Sequence, residues 1–166
     1  ETCRGKSLTS YAIGTLELLK WLNRNPMVEF QSIDKVFNPI EIGRNPKFVA
    51  IFAARKVDLS GRIAMHAGRG QVSSGPGQAM DFFNGAELSH GGKTVFALPS
   101  RNLRGQANIR LSVSGHENLF ALRESVSMVV TEYGVASLHG RSVRERALAL
   151  IEVAHPDDRA DLVNAA

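Results

Sequence analysis

Apolar residues along this chain fall into two spacings, and each marks a different element. Over residues 10–23, Tyr11, Leu16, Leu19, Trp21 and Leu22 stand among polar residues at the three-to-four spacing of a helix. Gly14 is a poor interior residue, so the helix is placed from Thr15, and Asn25-Pro26 closes it. Val28-Glu29-Phe30 alternates as a short strand does. Asn38-Pro39 supplies a cap and a first-turn proline for a helix reaching Arg44. Phe48–Phe52, Thr94–Leu98 and Ser127–Thr131 are short runs dominated by apolar residues, the pattern of strands covered on both faces. Lys56–Leu59, Ser60-Gly61 and Arg62–His66 read as strand, turn and strand. Ala67–Pro76 reads as a loop, Gln78–Phe83 as the first turns of a helix, and Ala107–Val113 as an alternating edge strand.

Past Ser127–Thr131 the chain turns polar at Glu132-Tyr133-Gly134, and a helix start follows at Ser142. Ser142 and Glu145 are spaced as a capping box, a hydroxyl and a carboxylate satisfying opposite backbone N–H groups. Behind it Val143, Ala147, Leu150 and Ile151 share one face; the helix should stop before Pro156, and Asp157–Val163 forms a final short helix. Strands that alternate with helices predict an α/β fold: an open, largely parallel sheet flanked by helices. No internal repeat or low-complexity segment interrupts this order.

Length and composition narrow the picture. A chain of 166 residues suffices for one domain with a core, with residues 1–45 set apart as a small linking subdomain. At 43% apolar and 22% charged residues it is a globular sequence, which excludes disorder. The chain opens on Glu1 with a helical pattern close behind, and reads as a segment of a longer protein. The single cysteine, Cys3, excludes an internal disulfide and a cysteine-rich zinc site, and fits a reduced, cytoplasmic setting. No run approaches the roughly 20 apolar residues of a membrane span, and no signal peptide is visible. The net charge of +4 favours an anionic partner. Its cations are scattered and not interleaved with aromatic residues, so nucleic acid is set aside as a partner. The five histidines show no metal-ligand spacing, and no metal is assigned.

Three stretches carry candidate chemistry. In Ser73–Phe82, Gly75, Gly77 and Gln78 precede a helix start, where free backbone N–H groups and the helix dipole suit an anion or an oxyanion; composition alone favours a tight turn that merely starts the helix, since Gly-Pro-Gly is common in loops. Glu132 ends an apolar strand, at the carboxyl edge where α/β sheets bind ligands. It can orient a ligand or catalytic group, or it can cap the next turn or pair with Arg141, Arg144 or Arg146. Pro99–Gly105 is a basic loop whose Arg101 and Arg104 either clamp a phosphate or stand in solvent.

Several runs in one order resemble a known family over nearly the whole chain. They are Asn25–Phe30, Phe48–Ile51, Val57–Gly61, Ser74–Phe82 with Asn84-Gly85-Ala86, Gly91-Gly92-Lys93, Ala97–Ser100, Thr131–Gly134 and Ala154–Asp157. By these the chain is identified as resembling the carboxyl-terminal domain of acetyl-CoA hydrolases and transferases. The resemblance implies a CoA-transferase-like α/β domain that meets an amino-terminal domain of the same protein. It implies coenzyme A as a substrate, with no covalently bound cofactor, and an acyl-CoA and a small carboxylate as partners; a homodimer is left open. CoA would move through a glutamyl-CoA thioester whose glutamate sits in an earlier histidine–serine/threonine–glutamate motif that this chain lacks. The segment alone is therefore expected to be inactive. The same resemblance gives Glu132 a supporting role, brings the Gly75–Gln78 loop to the thioester, and sets Arg104 where the family carries a CoA-binding lysine. Phe37 and Phe52 stand where asparagines are usual and Gln78 replaces a glycine. These departures motivate an alternative, a non-catalytic acyl-CoA-binding or regulatory paralogue.

Overall fold

The computed structural model describes residues 5–65, 78–115, 119–120 and 123–166. The chain divides into two compact units: one runs to Phe48 and takes in Met80–Gly92, the other comprises Val49–Ala79 and Lys93–Ala166.

The first unit holds strands β1 (Ser7–Thr9) and β2 (Val28–Phe30), paired in parallel, and helices α1 (Leu16–Leu22), α2 (Ile33–Val36), α3 (Pro39–Gly43) and α4 (Ala79–Leu88). Thr15 caps α1, its hydroxyl accepting from the Leu18 N–H at 3.3 Å, as the placement after Gly14 predicts. Asn38 caps α3 through the N–H groups of Ile40 and Glu41, with Pro39 in the first turn. Helix α4 continues from the first turns expected over Gln78–Phe83, through Asn84-Gly85 to Leu88. Gly85 is tolerated inside it because α3 lies so close: a Cβ there would stand 2.4 Å from Ile42 Cγ2. Phe37 meets Phe82 edge-on at 5.3 Å, and Phe48 stacks on Phe82 at 6.4 Å.

The second unit carries two four-stranded sheets. The first is ordered β10-β9-β6-β3, from β3 (Val49–Ala53), β6 (Lys93–Ala97), β9 (Met128–Thr131) and β10 (Gly134–Ser137). Strands β3, β6 and β9 run parallel, while β10 folds back on β9 with Gly134 opposite Thr131. The sequence led from β9 towards a helix; the chain instead makes a hairpin first, with Glu132-Tyr133 as its two-residue turn. Gly134, at φ 142°, supplies a backbone angle that side chains disfavour. Buried Phe96 and Val129 face one another across β6 and β9, and Phe52 tilts against Phe96 at 5.1 Å.

The second sheet is ordered β7-β4-β5-β8, from β4 (Lys56–Asp58), β5 (Ile63–Ala64), β7 (Ile109–Arg110) and β8 (Leu119–Phe120). β7 is at the edge, as expected, but only two residues pair; Ile109 and Val113 are buried while Leu111 is exposed. The turn between β4 and β5 is organised by Asp58, which is fully buried. Its carboxylate accepts from Ser60 N and Oγ, Arg62 N and Nε, and Val113 N.

Helices α5 (Val143–Glu152) and α6 (Pro156–Ala165) complete the unit. The capping box forms as predicted, Ser142 Oγ accepting from Glu145 N while the Glu145 carboxylate accepts from Ser142 N. The buried face of α5 is Arg146, Ala149, Leu150 and Ile151, rotated from the predicted one, so Val143 is exposed. His155 caps α6, its Nδ1 accepting from Asp157 N. No helix among the described residues is long and apolar enough to cross a membrane, and no three metal-ligating side chains among them gather into a cluster.

Candidate functional site

The parallel strands bring two chain segments together at their carboxyl ends. Ala97 of β6 lies opposite Val130 of β9, and Leu98 N donates to Val130 O, so the residues just beyond, Ser100 and Glu132, share one edge. There Ser100 N donates to Glu132 Oε2 at 2.9 Å and Ser100 Oγ donates to Oε1 at 2.6 Å. Ser100 is buried, 1% exposed, while Glu132 is exposed. The Ser100 hydroxyl, above all, holds the Glu132 carboxyl below the usual carboxylate range, aided by the Ser100 N–H and the nearby His155. Glu132 is therefore an ionised, fixed acceptor with lone pairs still open on both oxygens. Ser100, 32 residues away in sequence, and not Arg141, Arg144 or Arg146, holds the carboxylate.

The surroundings are built from α6 and the β9–β10 turn. Thr131 Oγ1 accepts from Tyr133 N and donates to Val153 O, fixing the turn to the segment before α6. The Tyr133 ring meets His155 edge-on at 5.5 Å, and the Arg159 guanidinium lies 5.7 Å from its centre. Since His155 Nδ1 accepts a backbone N–H, the neutral ring carries its proton on Nε2.

Arg101 is committed to structure. Its Nε and an Nη hold both oxygens of Asp158, at 3.0 and 2.7 Å, and Asp157 lies 3.5 Å from the other Nη. The hydrogen bond from Arg101, with its charge, holds Asp158 below the usual range. Arg101 thus ties the end of β6 to α6 and is not a free phosphate clamp. Arg104 differs. It sits on a tight turn in which Asn102 Oδ1 accepts from Arg104 N and Gln106 N, and its exposed side chain projects beside the fully exposed Leu103. Gln78 stands one residue ahead of α4; Gly75 and Gly77 lie outside the described residues.

Sequence reasoning reached Glu132 but missed Ser100, whose place in the Leu98-Pro99-Ser100 run signals a strand end without naming its partner. A cavity of about 800 Å³ lies elsewhere in the second unit, between Leu59, Leu111, Val143, Leu148 and Val163; none of the predicted site residues lines it. Ser60 and Arg144 also line it, but neither Ser100 nor Glu132 does.

The family model of the acetyl-CoA hydrolase/transferase C-terminal domain matches residues 14–166. A 4-hydroxybutyrate coenzyme A transferase of Clostridium kluyveri is 40% identical over 161 residues, spanning 96% of this chain and 38% of its own. A succinyl-CoA:acetate/propanoyl-CoA:succinate CoA transferase of Fasciola hepatica is 37% identical over 98% of this chain and 34% of its own. Among solved structures, RipA from Yersinia pestis superposes with a TM-score of 0.88 at 34% identity, covering 99% of this chain and 37% of that one. A 4-hydroxybutyrate CoA-transferase from Porphyromonas gingivalis gives 0.79 at 36% identity, covering 98% and 37%. The chain spans little more than a third of the length of these relatives.

Proposed function

Because the chain belongs to the acetyl-CoA hydrolase/transferase family through its carboxyl-terminal domain, we propose that it is one half of a catalytic unit that moves CoA from an acyl thioester to a small carboxylate or to water. The other half is an amino-terminal domain of the same protein, and the cytoplasm is the setting we assign. Coenzyme A enters as substrate and not as a held cofactor. The attacking group is a glutamate outside this chain. Its carboxylate displaces CoA thiolate from the acyl carbonyl to give a mixed anhydride, and the thiolate then attacks the glutamyl carbonyl, releasing the acyl group as a carboxylate and leaving glutamyl-CoA.

The observation that carries this reading is the ionised Glu132, pinned by Ser100 at the carboxyl edge of a parallel sheet. A carboxylate so held orients a neighbouring donor and is a poor nucleophile, because hydrogen bonds have already stabilised its negative charge. Arg104, exposed on its turn, suits a CoA phosphate. Gly75, Gly77 and Gln78, which precede α4 in sequence, are assigned to the thioester by the family resemblance alone.

A second reading has its own observation. Phe37 packs on Phe82 and Phe52 on Phe96, so the positions where the family carries asparagines are used here for apolar packing. A paralogue that binds acyl-CoA without turning it over would tolerate that. Labelled acetate separates the two: exchange of label into a short-chain acyl-CoA by the intact protein supports transfer, while CoA binding without exchange supports the non-catalytic module.

A further inference from the structure

We infer that Ser100 is a positioning residue for the CoA-transfer site, fixing the Glu132 carboxylate in one orientation through both of its own donors. The inference rests on the transfer reading of the chain. One residue engages both carboxylate oxygens, the N–H at 2.9 Å and the hydroxyl at 2.6 Å. Its backbone is immobilised on each side. Asn108 N donates to Ser100 O and Asn108 Nδ2 donates to Pro99 O, both within 2.9 Å, and the next residue, Arg101, grips Asp158.

The pairing is more than a strand-end cap. A glutamate on an exposed two-residue turn would ordinarily sample many rotamers, and holding it costs side-chain entropy. Here a buried hydroxyl is turned outward to hold an exposed carboxylate, instead of bonding the backbone around it. The charged and titratable groups around the pair are His155 at the start of α6, Tyr133 on the hairpin turn, and the Arg101–Asp158 ion pair. Ser100 thus engages both oxygens of the Glu132 carboxylate from one immobilised residue.

The test uses the intact protein as its gene encodes it, assayed for exchange of labelled acetate into a panel of short acyl-CoAs. Ser100→Ala should lower kcat about ten- to a hundredfold, the loss of one hydrogen bond to a charged group. It should leave KM for acyl-CoA nearly unchanged and move the acid limb of the kcat profile to higher pH, since Glu132 then loses the donor that favours its ionised form. A purely structural serine would move the melting temperature but not that limb. Ser100→Cys fills the same space with a weak donor and should reproduce both changes if the alanine variant fails to fold. Wild-type kcat with an unmoved acid limb in either folded variant overturns the role of Ser100. A wild-type protein that exchanges no acetate overturns the transfer reading itself.

Discussion

Replacing Asp58 with alanine tests whether the β4–β5 turn is held from within by one carboxylate. The side chain is fully buried and serves five donors: Ser60 N and Oγ, Arg62 N and Nε, and Val113 N. These do not lose equally. The Arg62 side chain is 35% exposed and Ser60 is part-exposed, so both can turn to water. The N–H of Val113, a residue with no exposure, cannot, and that of Arg62 is held in the turn. Each buried amide left without a partner costs about 1–3 kcal/mol, so the loss should come to about 3 kcal/mol. Asp58→Asn keeps one oxygen for Ser60 N, Ser60 Oγ and Arg62 N but turns an NH₂ towards Arg62 Nε and Val113 N, and should cost about 2 kcal/mol. Urea unfolding of the full chain with each variant measures both. A loss below about 1 kcal/mol for Asp58→Ala, with an unchanged denaturant slope, would refute the stranded-amide reasoning.

Three further outcomes follow from other contacts. Arg101 holds Asp158 below its ordinary pKa, so the stability from this pair is present above the unfolded value of about 3.9 and is lost as pH falls through the lower folded value. Arg101→Met should therefore lower the melting temperature at pH 7, and the gap to wild type should close as pH drops below 4; a gap independent of pH would contradict this. Gly85→Ala gains about 1 kcal/mol of helix propensity but forces Ile42 aside, an overpacking cost of about 1–3 kcal/mol, so thermal melting should show net destabilisation and not a gain. Glu132→Gln keeps the shape but not the charge, and should cut acetate exchange about a hundredfold in the intact protein, with full activity counting against any role for the carboxylate.

What the sequence disclosed was local. The capping box at Ser142–Glu145, the Asn38-Pro39 helix start and the apolar runs of β3, β6 and β9 depend on residues within a few positions of each other, and all three form in the structure, but β3 lies at the sheet edge with Val49 and Ile51 exposed where cover on both faces was expected. What stayed hidden depended on distant partners. β10 is short, and Gly134 at its head reads as turn; only pairing with β9 makes it a strand. The rotation of α5 buries Arg146, whose Nε donates to Arg141 O, a contact that hydrophobic spacing alone could not register. Helix α4 passes through Gly85 because Ile42, 43 positions earlier, needs the room. The site divides the same way. Glu132 was visible as a carboxylate closing an apolar strand, whereas Ser100 becomes its partner only when β6 and β9 lie side by side.

The central claim is that this strand edge is half of an active site whose nucleophile lies elsewhere in the protein. Borohydride trapping after incubation with acyl-CoA, followed by peptide mass analysis of the intact protein, tests it directly. The account predicts a reduced glutamyl adduct on a glutamate upstream of this segment and none on Glu132. An adduct on Glu132, or no adduct on any glutamate, would contradict it.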